Sequence, residues 1–357
     1  MSSTRPTVID GDGHIIESFE GIYDFLEGFK GPITNTLVSP FPWLDGRHTL
    51  VDPTRWRATD AARWRDFMDY AGISQAVLYP TAALSLGTIQ VTDWAVKAAR
   101  AYNRWLYASH LKPEPRLHAP ALLPNQDIAA AVEELRTCVQ QYGMVGGMLC
   151  SVTWNMKPYG DPEFEPIFAE AERLNVPIIL HGGTTQGLNL DMLRQFAAAH
   201  VLEHPLPLFI HLTSMLFGGL FERHPKLRVG MFEAGSGWVP FMMDRLDYDF
   251  KEVGKNDPVI KTLKRLPSEV LGGGNIFVTC EPGERFLPVA VDAIGPGRVL
   301  YASDFPHELE YEEYPEGIAQ LAQRIDLSEA ARADILGEAA RAFYGLPVTA
   351  GAALVGT

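Results

Sequence analysis

Asp12 and His14 are the first residues in this chain whose types and spacing could do chemistry. They sit in the run Asp10-Gly11-Asp12-Gly13-His14, directly after the apolar pair Val8-Ile9. In an extended strand alternate side chains point the same way, so Asp12 and His14 project together. A carboxylate and an imidazole side by side form two arms of a divalent-metal site, and the glycines between them leave room for close approach. The plainer reading is a capped turn with a surface histidine. His181 closes the apolar run Val176-Pro177-Ile178-Ile179-Leu180 and is followed by Gly182-Gly183. It is a ligand candidate, or else a core histidine bonded to backbone. Asp304 ends the run Tyr301-Ala302-Ser303, with His307 three residues on. A carboxylate buried there needs a partner, which a metal supplies; otherwise it caps the next helix. His307 is then an outer hydrogen-bonding group or a proton carrier. Glu233, in Met231-Phe232-Glu233-Ala234-Gly235-Ser236-Gly237-Trp238, is placed as a general acid/base or an outer ligand. The competing reading is a salt bridge to Arg245. Together Asp12, His14, His181 and Asp304 are the right number and types for one metal with an open position.

These residues need a scaffold that gathers strand ends. Eight short β-rich runs alternate with amphipathic segments: Val8–His14, Gln75–Pro80, Leu117–Leu123, Val145–Cys150, Val176–His181, Leu227–Glu233, Asn275–Cys280 and Arg298–Ser303. Such alternation predicts a parallel sheet covered by helices, and many of the runs are apolar throughout, as strands buried on both faces are. Helical periodicity is clear where Trp94, Ala98, Ala101 and Trp105 share a face behind Asp93 as N-cap. It recurs where Ile128, Val132, Leu135 and Val139 follow Asp127, and a last helix runs from Ser328 to a C-cap at Gly345. Eight strands predict a (β/α)8 TIM barrel, in which catalytic groups sit at the carboxyl ends of strands. A doubly wound open sheet is the alternative, and the lack of a Gly-rich phosphate loop after the first strand argues against it. The segment Gly31–Thr59 lacks periodicity and is rich in Pro, Trp and Gly. We read 30–60 as a lid-like insertion after strand 1, or a packed surface loop, within a single domain spanning 1–346; 347–357 is a C-terminal tail. The aromatic residues Phe41, Trp43 and Trp56 of the insertion suit a flat or apolar ligand.

The chain has 357 residues, 46 % hydrophobic and 21 % charged, the balance of a globular protein with a large core. A formal charge of −14 argues against nucleic acid and anionic membranes as partners. Cys138, Cys150 and Cys280 are far apart and odd in number, which predicts reduced core thiols in a cytoplasmic protein. Met1–Thr7 is polar, unlike a signal peptide, and no apolar run reaches about 18 residues, so no membrane span is expected.

The motifs resemble the amidohydrolase superfamily, in the branch named for aminocarboxymuconate-semialdehyde decarboxylase. Ile9-Asp10-Gly11-Asp12-Gly13-His14 is similar to the I-D-x-H-x-H start of that branch, and Phe67-Met68-Asp69-Tyr70-Ala71-Gly72-Ile73 to its M-D-x-x-G-I/V element. Phe221-Glu222-Arg223-His224-Pro225-Lys226-Leu227-Arg228-Val229 resembles the stretch before its sixth strand, and Ser303-Asp304-Phe305-Pro306-His307 its S-D-x-P-H ending. The resemblance covers nearly the whole chain. It implies a (β/α)8 barrel, Asp12, His14, His181 and Asp304 as ligands of one divalent metal (Zn2+ first, Mn2+ as the alternative), and often a homodimer. The fourth strand has no lysine to carry a bridging carbamate, which keeps the expected site mononuclear. Asp12 stands where the family's first histidine often is, and the extra carboxylate favours a harder ion such as Mn2+. The branch also places a catalytic histidine near the end of strand six, where this chain has Glu233. His211, in Phe209-Ile210-His211-Leu212, could supply an imidazole instead, although a core position suits it better.

The first functional expectation is a non-oxidative, metal-dependent decarboxylase (a carboxy-lyase) of a small aromatic or unsaturated acid, with Asp304 or Glu233 relaying the proton. The alternative is a metal-dependent hydrolase of an amide, ester, lactone or C–C bond, with Asp304 as the base. A barrel that only binds its ligand fits poorly with a complete donor set.

Overall fold

The computed structural model describes residues 7–28, 39–42, 58–183, 188–307, 309 and 311–348. Among the described residues there are nine strands, β1 (Val8–Ile15), β2 (Ile73–Pro80), β3 (Leu117–His118), β4 (Ala121–Leu122), β5 (Gly147–Cys150), β6 (Ile178–His181), β7 (Val229–Phe232), β8 (Ile276–Cys280) and β9 (Val299–Tyr301). All the pairings are parallel and run in chain order, β1-β2-β3 and then β4 through β9. The expected third strand is therefore split into β3 and β4. Ala119-Pro120 separates them, and proline has no N–H to give to a ladder. Counted as one position, the two make eight.

The ring closes where the last strand meets the first. Asp304 N donates to Asp12 O (3.0 Å) and His14 N to Phe305 O (2.7 Å). Asp10 lies buried beside them and accepts from Ser303 N (3.0 Å) and Ser303 Oγ (2.5 Å). This ordered parallel ring, with helices between the strands, replaces the open-sheet alternative by the (β/α)8 barrel. All eight residues of β1 are buried, as are those of β5 to β9, which accounts for their apolar composition.

The helices follow the periodic segments. Asp127 caps Ile128–Tyr142 by accepting from Ala130 N (3.0 Å), and Gly143 ends that helix at φ 67°. Ser328 accepts from Ala331 N (3.1 Å), and Gly345 closes the last helix at φ 72°. Asp93 is not the N-cap of its helix. Thr92–Leu106 starts after Val91, and Asp93 lies in the first turn, paired with Lys97 at 2.7 Å. Of the lid-like insertion, Trp43 and Trp56 fall outside the described residues. Phe41 is buried, with its ring 6.3 Å from that of Tyr102, while Pro40 O and Pro42 O accept from Trp94 Nε1 and Ser85 Oγ. The tail beyond 348 also lies outside the described residues. Cys138, Cys150 and Cys280 are buried free thiols. No helix among the described residues is long and apolar enough to cross a membrane.

Candidate metal centre

Four strand ends converge at the mouth of the barrel. His181 Nε2 lies 3.1 Å from Asp12 Oδ1, and His14 Nε2 lies 3.8 Å from Asp12 Oδ1 and 3.4 Å from Asp304 Oδ1. Ligands bound about 2.1 Å from a common ion stand roughly 3 to 3.5 Å apart. The 3.1 and 3.4 Å separations therefore fit one cation, and the 3.8 Å one would have to close slightly. Asp304 is brought to His14 but not into the cluster of Asp12, His14 and His181. The tautomers suit it too. His14 Nδ1 donates to Pro80 O (2.8 Å) and His181 Nδ1 to Gly182 O (2.9 Å), which leaves both Nε2 atoms as lone-pair donors facing the centre. His14 Nε2 is buried and has no hydrogen-bond partner among the described residues. A buried ring nitrogen with no partner, facing carboxylates, fits a cation held between them.

The electrostatics point the same way. Burial, with His307 and His181 nearby, drives the His14 imidazole well below its usual range, so it is neutral and free to ligate. Burial pushes the Asp12 carboxyl up despite His181 beside it. Burial would lower His181, but Glu233 and Asp12 outweigh it and hold the ring up to about 9. A site that attracts a proton this strongly into a buried cluster also attracts a metal cation, which replaces the proton.

Backbone conformation sets the remaining groups. Asp304 has φ 54° and Glu233 φ 67°, both in the left-handed region that side chains with a Cβ rarely adopt. Such strain, typically about 1–3 kcal/mol each, gathers at functional sites. It turns both side chains inward just past β9 and β7. Asp304 is less buried than its position suggests, with a side chain 32 % exposed toward the mouth. Its charge is matched by His307, whose Nδ1 donates to Asp304 Oδ1 (2.7 Å) while Nε2 meets Thr81 Oγ1 (3.0 Å).

Glu233 does not reach Arg245, which pairs with Asp249 at 3.2 Å. Its carboxylate faces the centre instead, with Oε1 3.9 Å from His14 Nε2 and Oε2 3.2 Å from His181 Nδ1. Oε2 also stands 3.0 Å from Nδ1 of His204, a residue to which the strand-end reading gave no role. Burial would raise the Glu233 carboxyl, but His204 and His181 hold it well below the usual range. His204 sits between helices Phe196–Glu203 and Pro205–Phe217, not at a strand end, which is why a search of strand ends passes over it. The signal that could have found it is the run His200-Val201-Leu202-Glu203-His204, with three donor residues at helix spacing. His211 is not brought to this group. It is buried, donates from Nε2 to Ser151 O (2.7 Å) and accepts at Nδ1 from Tyr159 N (3.1 Å), with burial lowering its ring to about 4. That is the geometry of a core histidine.

Comparison with known proteins adds relatives to this geometry. A family model described as Amidohydrolase (Amidohydro_2) matches residues 9–346. The γ-resorcylate decarboxylase of Rhodococcus jostii (strain RHA1) is 31 % identical over 257 residues, 68 % of this chain and 75 % of that one. The 2-amino-3-carboxymuconate-6-semialdehyde decarboxylase of Dictyostelium discoideum is 30 % identical over 227 residues. That match spans 63 % of this chain and 60 % of the relative's length. Among solved structures, a dihydroxybenzoic acid decarboxylase from Polaromonas sp. JS666, with bound manganese and 2-nitroresorcinol, superposes with a TM-score of 0.74 at 21 % identity. It covers 98 % of this chain and 99 % of that one. A 5-carboxyvanillate decarboxylase from Novosphingobium aromaticivorans, complexed with manganese, gives 0.75 at 19 % identity, covering 97 % and 98 %. At these identities the superpositions speak for the shared fold.

Proposed function

Given that the chain belongs to the amidohydrolase family, we propose that it is a metal-dependent carboxy-lyase that removes CO2, without oxidation, from a small aromatic or unsaturated acid. The observation that carries this reading is the cluster of Asp12 Oδ1, His14 Nε2 and His181 Nε2, with Asp304 Oδ1 3.4 Å from the shared His14 Nε2 in an adjoining cluster, and His14 Nε2 buried without a hydrogen-bond partner among the described residues. These four residues would hold one divalent cation. Two imidazoles suit Zn2+; the two carboxylates, and the manganese in the solved relatives, favour Mn2+. When bound, the cation supplies a Lewis acid that fixes a substrate carboxylate with a neighbouring oxygen and takes up developing negative charge.

The protein's own task is to deliver a proton. The bond from ring or vinyl carbon to the carboxylate breaks, CO2 leaves, and the carbon keeps the electron pair and needs one proton in its place. Asp304, turned inward by its left-handed backbone, is the delivering group, and His307 resupplies it through the 2.7 Å contact to Oδ1. Glu233, held as a carboxylate by His204 and His181, repels a second negative charge and so orients the substrate carboxylate toward the cation side. Domain 1–346 is the catalytic unit in this reading. The same reading has a cytoplasmic enzyme, supported by the three buried free thiols, and a homodimer, supported by the family resemblance.

One observation favours a second reading, hydrolysis. Glu233 stands just past β7, the sixth strand position, where the decarboxylase resemblance calls for histidine. There Asp304 would take a proton from attacking water. The test is a panel of hydroxylated aromatic and unsaturated acids with the metal-loaded enzyme in solvent labelled with deuterium and oxygen-18. The carboxy-lyase releases CO2 and leaves one deuterium on the former carboxyl-bearing carbon. Solvent oxygen-18 in the organic product, with no CO2, would establish the hydrolase in its place.

A further inference from the structure

A second set of donors converges on the helix that follows β6. His200, Glu203 and His204 stand at i, i+3 and i+4, which puts them on one helix face. His200 Nε2 lies 3.3 Å from His204 Nε2, and Glu203 Oε1 lies 3.4 Å from His204 Nε2 and 4.0 Å from His200 Nε2. Three atoms from three residues thus face one point, at nearly the separations that ligands of one ion adopt. The Glu203 side chain is only 2 % exposed, and its Oε2 has no hydrogen-bond partner among the described residues. A buried carboxylate of this kind calls for positive charge beside it, which the His204 ring 3.4 Å away supplies when protonated and a bound cation would supply in place of that proton.

The surroundings are built to hold this group. A Cβ on Gly182 would stand 2.4 Å from His204 Nδ1 and 2.9 Å from its Cα, so only glycine after His181 lets His204 pack so closely. Nδ1 of His204 meets the Glu233 carboxylate at 3.0 Å, which aims Nε2 toward His200 and Glu203. A carboxylate behind the outer nitrogen of a histidine is the arrangement that fixes metal-ligating imidazoles. The cluster opens on a cavity of about 380 Å3 that is also lined by Trp238, Arg285 and Phe286.

We infer that His200, Glu203 and His204 hold a second divalent cation, of the borderline class that takes imidazole and carboxylate together, with Zn2+ and Co2+ as members. Three protein ligands leave positions open toward the cavity, where water or an anionic group can bind. Glu233 then stands between two metal sites, in contact with His181 of one and His204 of the other. The inference does not depend on which reaction the barrel centre performs.

The test is titration of the chelated full-length protein with Co2+, followed by calorimetry and by visible absorption. Wild type takes up two equivalents per chain. His200→Gln, at a side chain 36 % exposed, keeps the wild-type melting temperature and takes up one, and His14→Gln removes the other. Two equivalents retained in His200→Gln overturn the inference. So does a single wild-type equivalent that is lost in His14→Gln and kept in His200→Gln. A single equivalent lost only in His200→Gln leaves this site standing and sinks the reading of the barrel centre. No uptake by wild type removes both.

Discussion

Each ring nitrogen of His14 has its own task. Nδ1 is fixed by Pro80 O, so Nε2 can only accept, and it faces carboxylate oxygens of Asp12, Asp304 and Glu233. Asp304, a ligand in the proposed site, is also the partner of His307, and its left-handed backbone constrains what can replace it. Asparagine tolerates that conformation better than most residues and keeps the shape of the side chain. Asp304→Asn is therefore expected to fold normally and to lower kcat by about 10²–10⁴-fold, the usual worth of a positioned proton donor. Turnover within threefold of wild type would show that the proton comes from elsewhere. Asp12, His14, His181, Glu233, Asp304 and His307, the residues of the proposed centre, were legible as candidates because a barrel makes polar residues at and just past strand ends conspicuous. His200 and His204 could not be found by that rule, since they reach the mouth from a helix and a helix junction. The exposure of Asp304 was also hidden, because it depends on how the chain turns after β9.

At the scale of the element, β1 does the positioning. Gly13 separates the two proposed ligands, and its missing side chain has a use beyond flexibility. A Cβ there would stand 2.4 Å from Cη2 of Trp64 and 2.8 Å from Asp10 Oδ2. Trp64 in turn donates from Nε1 to His14 O at 3.1 Å. Gly13→Ala must move the Trp64 ring, Asp10 or the strand itself. We expect a loss of about 1–3 kcal/mol, as for other overpacked cores, together with weaker metal binding. Urea unfolding and metal titration check the two effects, and a variant as stable as wild type would show that Trp64 yields freely. The strands were legible as apolar runs, yet their ends were not. Pro120 divides the third strand, and Pro177 precedes the ordered start of β6 at Ile178. Glu233 falls outside β7 because its φ of 67° ends the ladder at Phe232. Periodicity reports burial, whereas a strand's end is decided by hydrogen bonds and single dihedral angles.

Across the whole molecule, burial of histidines away from the centre links stability to pH. Burial pushes His118 and His211 down to about 4, against roughly 6.5 for an exposed histidine. Between those values the unfolded chain binds protons that the folded chain refuses, so stability rises with pH across that window. The contribution is complete above about pH 6.5 and is lost as pH falls toward 4. His118→Gln should flatten the dependence of urea midpoint on pH between about 4 and 6.5; an unchanged slope would remove His118 from the account. The barrel itself was readable from eight alternating segments, but its closure was not. It rests on Asp304 N to Asp12 O and His14 N to Phe305 O, two bonds that also bring the first and last of the proposed ligands together. Closure of the ring and assembly of the proposed metal centre are thus one structural event. The central claim is that the strand-end donors hold a divalent cation, and Mn2+ titration of chelated His14→Gln beside wild type tests it most directly. At equal melting temperature the variant is expected to lose at least about a hundredfold in affinity at that site. An unchanged affinity and stoichiometry in His14→Gln would contradict it.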